Sequence, residues 1–166
     1  VPPLMATAQV EKASVFTSSH QFYLAPQGVV PIMGDGEIGP VFMTVDDALL
    51  VSTGISMGDT PVAFATGVPE PLGGLPETGW EMSEEASLNL TGDLFLTGID
   101  GFEHVLAFTV TPGPHRVRVS CRGRTLYYDG TLMGEPGEPV EEYRITVWEA
   151  EPGPREVGGN DGMDLL

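Results

Sequence analysis

In the stretch His115-Arg116-Val117-Arg118-Val119-Ser120-Cys121, polar and apolar side chains alternate cleanly from Arg116 to Cys121. Side chains that alternate in this way point to opposite faces of a β-strand, so the stretch predicts a half-buried strand. A second stretch, Glu142-Tyr143-Arg144-Ile145-Thr146-Val147-Trp148, alternates in the same way. If the two strands pair as antiparallel neighbours, four apolar side chains face the core together: Val117, Val119, Ile145 and Val147.

The same pairing would place three arginines on the opposite face, beside Trp148: Arg116, Arg118 and Arg144. Guanidinium groups beside an aromatic ring can form cation–π contacts. Neighbouring acids such as Glu142 and Glu149 are expected to neutralise this face, as cross-strand pairs commonly do. The alternative is that the arginines bind an anion or the carboxylates of a partner.

Working outward from these two strands, short apolar runs recur between clusters of glycine and proline. The chain of 166 residues contains 22 Gly and 15 Pro, spread without a period, which is typical of turns between short strands. Ten strands are predicted at 13–16, 20–24, 41–44, 48–53, 62–66, 87–90, 93–96, 103–110, 115–121 and 142–148. The pattern predicts an all-β fold, an antiparallel β-sandwich of about 8–10 short strands with long Gly/Pro-rich loops.

The length favours one domain, predicted over residues 1–150. Residues 151–166 are rich in Gly, Pro and acid, and we predict a tail that frays. The connection 122–141 is predicted to be less ordered, because glycines and prolines interrupt it repeatedly. Residues 45–50 and 78–85 each show one turn of an amphipathic pattern, which is compatible with a short helix.

Acid dominates the composition. The chain has 24 Asp+Glu against 7 Lys+Arg, a formal net charge of −17, and Lys12 is the only Lys or Arg before Arg116. Such a surface repels nucleic acid and anionic lipid and attracts basic partners. Two interpretations are open: a protein that binds something cationic, or an acidic proteome in which such a charge is ordinary.

Catalytic and metal-binding patterns are not found in the sequence. The single cysteine, Cys121, excludes an intrachain disulfide and a zinc site built on cysteine pairs, and its place in the alternating strand predicts a buried apolar role. The three histidines, His20, His104 and His115, show no metal-ligand spacing, and a hydrogen-bonded structural role is expected for each. We therefore predict that the protein is not an enzyme and that it uses no metal or cofactor.

Two acidic segments carry aromatic residues that could anchor a partner. In the first, Trp80 is followed by Glu81, Glu84 and Glu85; in the second, Tyr127 and Tyr128 precede Glu135 and Glu138. Aromatic anchors supply buried area at an interface, while charges supply approach rate and orientation. We predict that these eight residues bind a partner. The competing interpretation is that Trp80 belongs to the core and the glutamates form a solvated rim.

Three stretches in this order resemble the competence protein J family, which includes an inhibitor of a DNA-entry nuclease. They are Ser19-His20-Gln21-Phe22-Tyr23-Leu24, the Pro-Gly turn with its strand from Pro112 to Cys121, and the closing strand Glu142 to Trp148. The resemblance covers most of the chain, which departs from the family in its long 122–141 loop and its acidic end. It implies an acidic bacterial inhibitor that occludes the cationic site of a nuclease; an immunity protein against a secreted toxin would obey the same logic.

The expected function is therefore that of a non-enzymatic, cytoplasmic acidic protein that neutralises a basic protein partner, first of all a nuclease. Neither nucleic acid nor membrane is an expected partner. One alternative is a small-ligand or carbohydrate-binding module that uses Trp80, Tyr127, Tyr128 or Trp148. Another is a structural subunit or homo-oligomer that pairs through open sheet edges.

Overall fold

A computed structural model of the protein describes residues 8–31, 36–98, 104–131, 134–135, 137–138 and 140–163. Within these residues the fold is all-β, as predicted. The twelve strands are β1 (Gln9–Ser18), β2 (Gln21–Ala25), β3 (Glu37–Ile38), β4 (Phe42–Val45), β5 (Ala48–Ser52), β6 (Met57–Thr66), β7 (Met82–Leu90), β8 (Leu94–Gly98), β9 (His104–Phe108), β10 (Gly113–Arg122), β11 (Glu142–Glu149) and β12 (Glu156–Gly159).

All ten predicted strands are present, each within a few residues of its predicted bounds. The two suggested helices are absent from the described part of the chain: residues 45–50 form the β4–β5 hairpin, and residues 78–85 lead into β7. No helix in the described residues is long and apolar enough to cross a membrane.

The strands form one continuous sheet that curls on itself, in the order β12-β7-β10-β11-β6-β1-β2-β5-β4-β3. Two strands lie outside this order: β8 pairs with β2, and β9 pairs with β8. The prediction of an antiparallel sandwich needs correction, because β11 and β6 are parallel and the sheet is therefore mixed. The physical reason is that β7 to β10 lie between these two strands in the chain, so no hairpin requires them to be antiparallel.

The predicted pairing of the two alternating strands is confirmed. β10 and β11 are antiparallel, with Val117 opposite Val147 and Val119 opposite Ile145. All four side chains are at most 1% exposed and belong to the main hydrophobic core. Phe64 and Phe108 stack in the same core with ring centroids 3.6 Å apart. Burial of side chains of this size contributes about 1.5–3 kcal/mol each.

Part of the segment 151–166, for which the sequence predicted a fraying tail, forms regular structure among the described residues. Residues Glu156–Gly159 form β12, an edge strand that pairs with β7. Arg155 enters an ion pair with Glu84, and Asp161 is only 8% exposed. Glu84 lies 71 positions before Arg155, and Arg124, the ion-pair partner of Asp161, lies 37 positions before it, so local composition gave no sign of these contacts.

Candidate protein-docking surface

Trp80 lies half-buried under a guanidinium group at one end of the sheet. The Cζ atom of Arg122 is 4.4 Å from the centre of the indole ring. Arg122 also donates from Nε to Glu142 Oε1 at 2.6 Å and from Nη1 to the Gly79 carbonyl at 2.9 Å. The indole is therefore neither a fully buried core residue nor a free anchor: one ring face is fixed by a cation, and part of the side chain remains accessible.

Glu81 follows on the exposed side of this platform. Its Oε1 atom accepts a hydrogen bond from the Gly123 backbone at 2.6 Å, while the residue as a whole stays exposed. The carboxylate thus ties the start of β7 to the loop that follows β10. It holds its charge at the surface in a defined position.

The second predicted group, with its two tyrosines, lies on the loop that follows β10. Backbone hydrogen bonds anchor the first part of this loop. The Gly130 carbonyl accepts hydrogen bonds from the Ser56 and Met57 backbones at 2.8 and 3.3 Å, and Asp129 donates from its backbone to Gly54 at 2.8 Å. Tyr128 is 47% exposed. Tyr127 is partly buried and donates to Glu138 at 3.2 Å. The backbone hydrogen bonds next to Tyr128 therefore fix the position of this exposed side chain.

A shallow groove of about 320 Å³ lies next to Glu81, and Arg122 and Leu126 are among its other lining residues. Neither tyrosine nor the loop glutamates line it. Leu126 is 50% exposed, and Glu135 and Glu138 are exposed beyond it. Six residues define this surface, which we call the acidic aromatic end: Trp80, Glu81, Leu126, Tyr128, Glu135 and Glu138. Sequence reasoning omitted Leu126, although an apolar residue next to two tyrosines in a Gly/Pro-rich loop was a usable signal.

Glu84 and Glu85 do not belong to this surface, which corrects their assignment as docking residues. Glu84 is 0% exposed: it pairs with Arg155 at 2.6 Å and accepts backbone hydrogen bonds from Val41 and Phe42 at 2.8 and 3.1 Å. Glu85 is 6% exposed on the other face of β7. A carboxylate with its acceptor sites occupied inside the protein has none left for a partner.

The arginine face is likewise internal, apart from Arg144. Glu85 lies between Arg116, at 3.4 Å, and Arg118, at 2.7 Å, and Glu77 Oε1 is 3.5 Å from Arg118. The neutralising acids come from β7 and the loop before it, and not from the expected Glu149. Such buried pairs are costly to break, because the remaining charge is left unpaired in a poorly solvated site.

The ion pairs change the charge balance of the exterior. Five of the seven basic residues form ion pairs with carboxylates: Arg116, Arg118, Arg122, Arg124 and Arg155. Among the described Lys and Arg residues, only Lys12 and Arg144 have no carboxylate partner within ion-pair distance. They lie on the two strands that flank β6, each opposite Ala63. Most remaining carboxylates are at the surface without a cation beside them, so the accessible charge is strongly negative.

His20 has the structural role expected for it. Its Nδ1 is 3.0 Å from the Thr53 carbonyl, and its Nε2 is 3.0 Å from Asp129 Oδ1. These contacts join the β1–β2 turn to the tyrosine loop. Among the described residues, no three His, Cys, Asp or Glu side chains are grouped so that they could hold a metal ion.

A buried polar cluster lies at the two ends of the connection 122–141. Arg124 donates from Nε to Asp161 at 2.5 Å, and Cys121 Sγ lies 3.8 Å from the same carboxylate. Glu141 accepts from the Tyr143 hydroxyl and from the Gly54 and Ile55 backbones. Burial raises the pKa of Glu141 and of Tyr143. The cluster fixes both ends of the 122–141 connection.

Cys121 is expected to be unreactive in the folded protein. The residue is 0% exposed, and burial raises the pKa of its thiol to about 12. Because the thiolate is the nucleophile, we expect no measurable reaction with a disulfide reagent at pH 8 in the native state, and complete reaction in guanidinium chloride. Rapid native-state labelling would contradict the buried position of this strand.

Comparison with known proteins supports the architecture. No protein-family model matches the sequence, and no curated protein matches it either. Two solved structures are similar in fold. ComJ from Bacillus subtilis, described as the inhibitor of the DNA-degrading activity of NucA, gives a TM-score of 0.57 at 13% identity, over 87% of this chain and 100% of that chain.

The second is the crocagin biosynthetic gene J protein, with a TM-score of 0.58 at 14% identity, over 88% of this chain and 100% of that chain. At such identities the likeness concerns the fold. It agrees with the resemblance seen in the sequence. The chain thus has a ComJ-like fold.

Proposed function

We propose that this protein is a non-catalytic inhibitor that binds and neutralises a basic protein through its acidic aromatic end, with a nuclease as the first candidate. The observation that carries the proposal is the coincidence of charge and anchors at one end of the fold. Tyr128 and Leu126 are each about half exposed there, and Glu81, Glu135 and Glu138 are exposed around them. The similarity of the fold to that of ComJ, which is itself described as a nuclease inhibitor, also supports the proposal.

The physical logic follows from what a nuclease must bind. A site that holds phosphodiesters uses basic residues, often with a metal ion, and clustered carboxylates can occupy such a site in place of phosphates. Exposed aromatic and aliphatic side chains then supply the desolvated centre of the interface. Internal pairing of Arg116, Arg118, Arg124 and Arg155 keeps their positive charge away from this surface. Arg122 does lie at the surface, where Glu142 neutralises it. A cytoplasmic partner or a secreted toxin would both fit this chemistry.

The test is inhibition of DNA degradation by purified nucleases, NucA and the nucleases encoded in the source genome. We expect one of them to lose its activity as the molar ratio approaches one to one. Polyglutamate of equal total charge serves as the control, and it should inhibit far less at the same concentration. If tenfold molar excess of the protein leaves every nuclease unaffected, or if polyglutamate inhibits equally, the proposal is wrong.

A further inference from the structure

A second groove lies on the face of the sheet that is turned away from the hydrophobic core. Its volume is about 390 Å³, within the range of small-molecule sites. Strand β6 forms its floor. Val62 and Phe64 of this strand belong to the core, whereas Pro61, Ala63 and Ala65 are only half-buried and line the groove. Because alternate side chains of a strand point to opposite faces, these three small side chains face outward together.

Each wall of the groove carries a cation. Lys12 on β1 and Arg144 on β11 both lie directly opposite Ala63, so the three side chains share one face of the sheet. The Cα atoms of the two cations are two strand spacings apart, a distance of roughly 9–10 Å. The methyl group of Ala63 fills little of the space between them. Both long side chains can therefore reach one common group above the alanine.

These two cations are the basic side chains that the fold leaves without a partner. Neither the Lys12 nor the Arg144 side chain has a hydrogen bond or an ion pair with the described part of the chain. The five other basic residues are paired with carboxylates. Carboxylates are plentiful in a chain with a net charge of −17, yet the fold brings none of the described ones to this pair. Their charge is therefore available to an anion from outside the fold.

Two glutamates line the groove, but neither is available to the two cations. Glu142 accepts from Arg122 Nε at 2.6 Å. Glu11 lies opposite the core residue Phe64, so its side chain belongs to the other face of β1. The local charge of the groove is therefore positive, on a protein whose accessible charge is otherwise negative.

An aromatic ring completes one wall. The Cζ atom of Arg122 lies 4.4 Å from the centre of the Trp80 indole ring. Arg122 lies opposite Glu142, which is two positions before Arg144 and thus on the same strand face. The stacked indole and guanidinium therefore lie on the face that carries the two cations. On the other wall, Val10 is 72% exposed. The groove thus offers apolar contact beside its positive charge.

We propose that this groove binds a small organic monocarboxylate with a flat apolar body. The carboxylate accepts from Lys12 and Arg144, and a guanidinium fork matches its two oxygens. The apolar body lies on the alanine floor, between Val10 and Trp80. The net charge of −17 repels a dianion about twice as strongly as a monoanion, which favours a carboxylate over a phosphate. The groove adjoins the acidic aromatic end at Trp80, but the proposal does not depend on the inhibitor function.

The probe is hydrocinnamate, which joins a phenyl ring to a carboxylate. Its matched control is hydrocinnamamide, which has nearly the same shape and no charge, and acetate is the control without an apolar body. In two-dimensional amide NMR spectra we expect saturable one-to-one binding of hydrocinnamate, at least tenfold tighter than of either control. The largest shifts should occur at Lys12, Ala63 and Arg144. No saturable binding, equal binding of either control, or largest shifts elsewhere would overturn the proposal.

Variants locate the site. The double substitution Lys12→Gln with Arg144→Gln should weaken binding at least tenfold. The control, Ser19→Asp with Gln27→Glu, changes the net charge by the same amount at exposed positions outside the groove, and should alter affinity less than twofold. Ala63→Leu fills the space between the cations without a change of charge and should also weaken binding at least tenfold. If Ala63→Leu fails to fold, the double variants still decide, and equal affinity of both would refute the assignment.

Discussion

Replacing Asp161 with alanine is expected to lower the free energy of unfolding by about 3–5 kcal/mol, the usual effect of leaving a buried charge without its partner. Asp161 accepts from Arg124 Nε at 2.5 Å, and Arg124 is 1% exposed. The other contacts of this guanidinium group are to the Pro40 and Ser52 carbonyls and to the Met82 sulfur, which carry no full charge. The variant would therefore leave the buried guanidinium group without its ion-pair partner.

Denaturation by urea, monitored by tryptophan fluorescence, measures this effect. Glu151→Ala is the matched control, because this acid lies in the same C-terminal segment but is exposed and has no ion pair among the described residues. It should change the stability by less than about 0.5 kcal/mol, as is usual for such surface sites. A loss below about 1 kcal/mol for Asp161→Ala, well under the range for a broken buried pair, would mean that the C-terminal segment is not part of the folded core.

Reversing three charges of the acidic aromatic end is expected to slow association with the inhibited nuclease by tenfold or more. The variant combines Glu81→Lys, Glu135→Lys and Glu138→Lys, all exposed in the folded protein. Charge steering changes association rates by roughly 10–10³-fold, and it acts most strongly through charges close to the interface. Stopped-flow fluorescence gives the rate directly.

The control variant reverses three exposed acids at the other end of the sheet, Glu70, Glu149 and Glu151, and changes the net charge by the same amount. Its association rate should fall by less than about threefold, since the distance to the interface exceeds the screening length of roughly 8 Å at physiological salt. Because Glu81 and Glu138 also make hydrogen bonds, thermal unfolding must show that the first variant is folded. Equal rates for both variants would show that the partner docks elsewhere.

Short apolar runs and the alternation of side chains were enough to predict the ten main strands and the β10–β11 register. A strand with one buried face needs apolar residues at every second position, and this period is visible in the sequence. β3 and β12 were missed for the opposite reason. Both are short, and β12 contains two glycines and no apolar alternation. Their strand structure depends on pairing with β4 and β7. Likewise, no local signal predicts that β11 lies parallel to β6.

The candidate site was predictable in part. The pattern of aromatic residues among acids singled out Tyr128 and Glu81, and both residues are exposed in the structure. Whether an acid is buried depends on distant arginines, which sequence proximity does not reveal. One local signal for Glu84 did exist: it continues the inward-facing register of Met82, Ala86 and Leu88 on β7. An acid at such a position indicates an internal ion pair more often than a docking contact.

The central claim, that exposed carboxylates of this fold steer a basic partner to one end of the molecule, is tested most directly by the salt dependence of the association rate. The rate constant with the inhibited nuclease should be measured at 50 mM and 500 mM sodium chloride, conditions between which the screening length falls from above 10 Å to below 8 Å. The account predicts a decrease of at least about tenfold with an almost unchanged dissociation rate. A rate constant that stays within about twofold over this range would contradict charge-steered docking.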